Sequence, residues 1–388
     1  ATNVANLILT VLNLASLPQI QVSGQTLVST EPLGWNASWE ALWPKPGLLV
    51  WSGGGGGYWG WWGWKLGGPE ATDAVRIAPG GFWRPWYGGG NGGRLLAFDV
   101  SNTAAPSFLS AVNLTTNNWW NFSGAFATDR LVYVSHQSSE FMPGVVPPGY
   151  ETLPRTVVYD QTTGKYITNE PPVGIWVQRY YLDVVDYSDP LNPTIRKPVN
   201  IPGLLKGIAY GGALLYTSGV HYDPVKSTTD WTEWLDASAY DGVAAHLVDS
   251  LALSKNWPHP VLVFGSSLFI GAPAESTNTN HLLETWTLPD SGRFTKTGTT
   301  QLASAAQNMA AFGNLLVVQT ADQIKLYNAT VPALLGLVGS GGPQGCVWYD
   351  LSHADGALDR GVWLPLGSYG VATVPIPVPP PPRPPPGP

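Results

Sequence analysis

Six times along the chain a short, almost purely apolar run recurs: Leu48–Trp51, Leu131–Val134, Leu214–Thr217, Leu268–Gly271, Leu315–Val318 and Val362–Leu364. Runs of that length bounded by turn residues are strand-sized, and no segment sustains the helical period. The final three spacings are about 50 residues each, the period of a four-stranded propeller blade. The first two are longer, at about 83. Against a blade period of about 50 residues, each leaves room for an insertion, and these are placed at 53–93 and 137–178.

A fuller unit surrounds the apolar run, and two copies show it well. A strand ends at Asp or Asn, a polar or Pro-containing turn and a second strand follow, and a Gly- or Asp-marked hairpin leads into the apolar strand. One copy runs from Leu95 through Asp99 and Pro106 to Gly124–Ser135, and another from Leu182 through Asp186 and Pro190 to Gly207–Ser218. Asp or Asn after a strand can bond its own backbone two residues on. Gly211-Gly212 and Gly313-Asn314 offer the positive φ that tight hairpins need. Apolar strands without alternation suit burial on both faces. The sequence therefore predicts an all-β chain, a single β-propeller of about six four-stranded blades over 1–374; five to seven blades fit the counts. Leu7–Leu14 and Tyr369–Ile376 each read as the first strand of a further repeat, so the termini either complete one blade together or pair with a neighbouring molecule.

The stretches Phe98-Asp99-Val100-Ser101 and Val184-Val185-Asp186-Tyr187-Ser188-Asp189-Pro190-Leu191-Asn192-Pro193, with a looser echo at Leu247-Val248-Asp249-Ser250, resemble the degenerate LVIVD propeller repeats of exported bacterial and archaeal proteins. The resemblance implies a propeller fold and export, and no particular activity.

Composition narrows the function classes. Charged residues are 12% of the chain and hydrophobic residues 44%. Typical soluble domains are about 25% charged. Such a surface suits an exported protein, or one packed against copies of itself. The net charge is −7 with no Lys/Arg run, which argues against a nucleic-acid partner. No stretch reaches the roughly 18 apolar residues of a membrane span. With one cysteine, Cys346, the chain has no internal disulfide. Cys346 reads as a small core residue in the strand Cys346–Tyr349. The start at Ala1 reads as a mature chain whose signal peptide has been removed, and the sequons at Asn36, Asn113, Asn121 and Asn328 are compatible with export.

Two segments depart from the repeat. Trp51–Gly93 holds 16 Gly and 7 Trp in 43 residues. Disordered segments are poor in aromatics, so it reads as an ordered insertion. Trp59, Trp61, Trp62, Trp64, Trp83, Trp86 and Tyr87 are its candidate binding or interface residues, since an apolar body with a polar tip suits protein interfaces and sugar stacking alike. The 137–178 insertion is a Pro-containing loop excursion with one hairpin, Thr156–Tyr159 to Tyr166–Thr168. From 375 to 388 the chain is polyproline-like, a stiff spacer or docking strand.

Catalytic and metal patterns are weak. The histidines at 136, 221, 246, 259, 281 and 353 show no ligand spacing. Asp183, Asp186 and Asp189 offer oxygens of the kind calcium takes, but Asp186 and Asp189 fall where turns need caps. The carboxylate pairs Asp230/Glu233 and Asp236/Asp241 share one polar loop and are the candidates for a glycoside hydrolase. Asp290–Phe294 and Asp355-Gly356 before Trp363 are the nearest approaches to a sialidase box, and neither has its full spacing. No metal, cofactor or catalytic residue is assigned. The expectation is a non-enzymatic extracellular or cell-surface protein, a homo-oligomer or homopolymer held by its termini and aromatic insertion. A carbohydrate-binding propeller with a glycan partner is the alternative, and an exported hydrolase stands behind it.

Overall fold

The computed structural model describes residues 7–13, 21–29, 38–54, 93–114, 121–143, 156–169, 174–221, 232–253, 260–272, 281–320, 323–342, 351, 354–365 and 371–377. The fold is an all-β propeller of six blades. An N-terminal hairpin, β1 (Leu7–Asn13) with β2 (Gln21–Ser29), precedes them as its own two-stranded sheet. The first blade is β3 (Ser38–Lys45), β4 (Leu48–Gly54), β5 (Arg94–Asp99) and β6 (Ser107–Asn113), paired in that order.

The second blade begins with β7 (Asn121–Thr128) and β8 (Leu131–Pro143). A separate hairpin, β9 (Thr156–Asp160) with β10 (Lys165–Asn169), intervenes before β11 (Gly174–Asp186) rejoins β8. Two short segments, β12 (Thr194–Ile195) and β13 (Val199–Ile201), edge β11. The third blade is β14 (Leu204–Ala209), β15 (Leu214–Val220), β16 (Glu233–Tyr240) and β17 (Ala245–Ala252). The fourth is β18 (Val261–Phe264), β19 (Ser267–Ala272), β20 (His281–Thr287) and β21 (Thr295–Leu302), and the fifth is β22 (Ala306–Phe312), β23 (Leu315–Thr320), β24 (Ile324–Asn328) and β25 (Gly336–Gly341). The sixth has three described strands, β26 (Asp355–Ala357), β27 (Gly361–Pro365) and β28 (Val371–Val374).

Each of the six apolar runs is the second strand of a blade: β4, β8, β15, β19, β23 and β27. The unit visible in the sequence is therefore offset, beginning on the third strand of one blade and ending on the second strand of the next. Burial on both faces explains why these strands do not alternate. In β23 all six residues are buried, and Leu315, Leu316, Val317 and Val318 are fully so. Each such side chain contributes about 1.5–3 kcal/mol on removal from water.

Chain contacts divide the molecule into two compact units, Ala1–Leu205 with Thr217–Leu247, and Lys206–Tyr216 with Val248–Pro388. Within the first, Leu48, Val50, Leu95 and Ala97 pack on Val132, Val134, Val185 and Tyr187. Within the second, Leu315, Val317, Ile324 and Leu326 pack on Val362, Leu364 and Val374. The hairpin β1–β2 is not a blade strand; it seats Leu9 and Val28 on Leu49, Leu96 and Phe98.

Turn chemistry follows the local sequence. Gly265-Ser266 and Gly313-Asn314 are two-residue hairpin loops. Their first positions have φ of 59° and 56°, and their second positions are not left-handed. That is the type II′ pattern. In the β7–β8 loop Asp129 (φ 45°) and Arg130 (φ 71°) are both left-handed, as a type I′ turn requires. Asp99 and Asp186 end third strands and each accepts the amide and hydroxyl of the serine two residues on; Asn328 does the same for Thr330. Asp189 likewise accepts the Leu191 amide. The Asp249 of the looser echo sits instead in the outer strand β17, where it accepts the Phe294 amide.

These hydrogen bonds set an acid response. The Ser101 hydroxyl holds the Asp99 carboxyl below its ordinary pKa, and the Ser188 hydroxyl does the same for Asp186. A lowered native pKa means the unfolded chain binds the proton more readily, so the stabilisation is present above about pH 4 and is lost as pH falls through the native value. Thermal unfolding is expected to show a falling midpoint below about pH 4, and less of a fall in Asp186→Asn. A midpoint flat from about pH 6 to about pH 3 would contradict the capping role.

One expectation is corrected. The 137–178 insertion does not leave the blade as a loop: β8 and β11 run on in unbroken register to Pro143 opposite Gly174, and only then does the hairpin β9–β10 intervene, with Tyr159 opposite Tyr166. The C-terminal strand does open a further copy of the offset unit. It is β28, the third strand of the last blade, with Val374 opposite Val362. Cys346 and the tail from Val378 lie outside the described residues.

Candidate functional site

The aromatic residues singled out from the sequence, Trp59, Trp61, Trp62, Trp64, Trp83, Trp86 and Tyr87, lie outside the described residues, as do Asp230, His259 and His353. The carboxylates that are described separate by role. Asp241 is an exposed turn cap that accepts the Val243 and Ala244 amides, whereas Asp236 is fully buried within β16. Five residues of strand part them by about 16 Å, too far for a catalytic pair. Asp186 and Asp189 cap their turn, and Asp183 points elsewhere. Among the sialidase-like residues, Gly292 closes a turn on the Pro289 carbonyl and Asp355 opens β26.

What the fold brings together is a pair of His–Asp contacts built alike in successive blades. In the second blade His136, on β8, has its Nδ1 on Asp183 Oδ2, and its ring stacks on Tyr181 at 5.2 Å with 22° between the planes. Tyr181 lies directly opposite His136 on β11, and Asp183 is two residues further on the same face. In the third blade His221, just after β15, has Nε2 2.7 Å from Asp236 Oδ2 and stacks on Trp234 at 5.0 Å with 3° between the planes. Trp234 again precedes the aspartate by two. Aromatic-x-Asp on the third strand with His on or just after the second is thus a shared device, and its legible trace is Tyr181-x-Asp183 and Trp234-x-Asp236.

The surroundings favour a structural role for these contacts. His136 and Asp183 are each 1% exposed, and Asp183 Oδ1 is buried without a hydrogen-bond partner among the described residues. The neighbouring Ser135 hydroxyl accepts the Leu205 amide, tying β14 to β8. His221 is 36% exposed while Asp236 is buried. Close by, Ser218 donates to Glu233, and burial followed by the Glu233 charge pushes the Tyr180 phenol above its ordinary value. A carboxylate that orients an imidazole is half of a general-base arrangement, but the base must reach a substrate proton. His136 is sealed from one, and the ring of His221 is stacked on Trp234.

The accessible features are of another kind. On β1–β2, Ile8 lies opposite Leu27 and Leu12 opposite Val22. All four are 47–59% exposed, on the face away from buried Leu9. The other accessible feature is β28, which pairs with β27 along one edge and with no described strand along the other.

No protein-family profile matches the chain, and no curated protein matches it. Solved structures do. A protein from Lactobacillus plantarum is 12% identical, with 96% of both chains covered and a TM-score of 0.40. Saccharomyces cerevisiae Sqt1 is 8% identical, with 96% of this chain and 91% of that one covered and a TM-score of 0.42. Identities this low transfer no activity. The propeller fold itself is consistent with a non-enzymatic interaction protein.

Proposed function

We propose that this chain is a non-enzymatic structural and interaction protein of the cell exterior that associates with copies of itself. The observation that carries the reading is the outward face of the N-terminal hairpin. Single exposed apolar residues are ordinary on any protein. Here Ile8, Leu12, Val22 and Leu27 stand as two cross-strand pairs on either side of the uncharged, hydrogen-bonded Thr10–Gln25 pair, on a hairpin that bears no charge. A surface of this kind gains by being covered. The low charge of the whole chain supports the same reading, and the likeness to LVIVD repeats supports export.

Light scattering over a range of concentrations is expected to show association, and negative-stain images to show regular oligomers or polymers. Ile8→Lys with Leu27→Lys places two charges on the face and is expected to weaken association at least about tenfold, the equivalent of about 1.4 kcal/mol, with an unchanged thermal midpoint. A chain that remains monomeric at every concentration overturns the proposal. If that monomer also answers oligosaccharides with a change in Trp fluorescence, it is a glycan binder instead.

A further inference from the structure

The last blade is built differently from the others at its outer edge. In the first, fourth and fifth blades the fourth strand carries an extra residue against its neighbour: Leu109 in β6, Thr297 in β21 and Val338 in β25. Such bulges bend an outer strand and blunt its edge against further pairing. Charge or cover adds to this protection. Lys296 lies in β21 and Asp249 in β17, while the turn leading into β6 is approached so closely by Gly24 of β2 that a Cβ there would fall 2.5 Å from the Thr103 carbonyl. In the second blade the outer position is taken by the short β12 and β13.

Among the described residues β28 has none of these protections. It pairs with β27 in unbroken register, has no charge and ends in buried Val374, as a third strand does when a fourth lies beyond it. The stretch from Pro375 to Pro388 is ill suited to be that fourth strand. Ten of the fourteen positions from Pro375 to Pro388 are proline, which has no N–H to donate to a ladder.

A matching unprotected strand exists at the other end of the chain. β1 reads Leu-Ile-Leu-Thr-Val-Leu-Asn, with neither charge nor proline. In its pairing with β2 the extra residues, Ser23 and Val28, both fall on β2, so β1 is the regular strand of the hairpin. β1 pairs with no described strand other than β2. Uncharged, proline-free segments of this length with high strand propensity are those that add readily to an open edge.

We infer that β1 of one copy adds to β28 of a second copy, completing the last blade as its fourth strand. The inference rests on the self-association proposed above and specifies its geometry. Main-chain hydrogen bonds set the register, and the apolar side chains of the hairpin supply the affinity that a short ladder lacks. Donor and acceptor are different surfaces of the chain, so the contact is head-to-tail, and repetition makes a ring or an open filament.

The test uses two variants of the full chain. Thr10→Pro blocks the donor edge and leaves β28 intact; Thr373→Pro blocks the acceptor edge and leaves β1 intact. Each alone is expected to be monomeric by light scattering, and a mixture is expected to form one heterodimer and nothing larger. Polymers that persist in both variants overturn strand addition while leaving self-association standing. A wild-type chain that never associates overturns both. Amide exchange on the unaltered chain gives a reading that does not depend on the variants folding. Amides within 7–13 and 371–374 are expected to slow at least about tenfold on assembly, and equal rates in assembled and dilute protein overturn the inference.

Discussion

Asp183→Ala is expected to destabilise the chain by about 1–3 kcal/mol, a sizeable fraction of the stability of an ordinary domain. The variant takes the carboxylate from an imidazole that is 1% exposed and places nothing polar in its stead. The loss is greater than the net worth of one hydrogen bond, about 1 kcal/mol, because His136 remains buried after the contact is gone. The same reasoning makes the double change recoverable. His136→Leu with Asp183→Leu removes both polar groups and fills their volume with carbon, and it is expected to lie within about 1 kcal/mol of the native chain or above it. The ring of His221 is already 36% exposed. His221→Ala is therefore expected to cost only about 1 kcal/mol. Urea unfolding of the four proteins decides the matter. A single Asp183→Ala variant as stable as the native chain would show that the contact is incidental.

Gly124→Ala is expected to cost about 3 kcal/mol or more, though it adds one methyl group. Gly124 is the extra residue of a bulge in β7, between the pairs Ser123–Ser135 and Ala125–Val134. Its φ is +67°, and a Cβ there would fall 2.0 Å from the Leu205 carbonyl oxygen. The left-handed backbone accounts for about 1–2 kcal/mol of the loss and the forced shift of Leu205 for about 1–3 kcal/mol. Gly313→Ala separates the two contributions. Its φ is +56° and nothing lies within 4 Å of the added carbon. Only the backbone contribution, about 1–2 kcal/mol, is therefore expected there. Equal losses at the two positions would show that Leu205 moves aside without cost.

Together these substitutions bear on what holds neighbouring blades in place. Gly124 lets β7 approach β14 at Leu205, and the Leu205 amide is also the donor to Ser135, one residue before His136. Damage at either point is therefore expected to loosen the same contact between the second and third blades. It should leave the assembly surfaces at β1 and β28 unaltered in sequence and local pairing, so stability and self-association can be measured apart.

The blade pattern was readable because its causes are local. A strand buried on both faces must be apolar throughout, so β4, β8, β15, β19, β23 and β27 announced themselves as runs. An Asp that bonds the backbone two residues on carries its own instruction, so Asp99 and Asp186 could be placed at turns without knowing what the turns joined. The His–Asp contacts carried no such mark. His136 and Asp183 are 47 residues apart, His221 and Asp236 are 15, and only the register of β8 on β11 sets Tyr181 beneath His136. Periodicity along one strand says nothing about register across two.

The same division applies at the termini. Strand character at Leu7–Leu14 and Tyr369–Ile376 was evident from composition, yet their partners were not. Leu9 and Val28 choose the first blade by packing on Leu49, Leu96 and Phe98, and Val374 becomes the third strand of the last blade by closing over Val362. The sequence by itself determined that this chain is a series of buried strands joined by self-capping turns. Only the tertiary structure decided which histidine meets which aspartate and which edge has no partner among the described strands, because those choices depend on long-range register and packing that residue order does not encode locally.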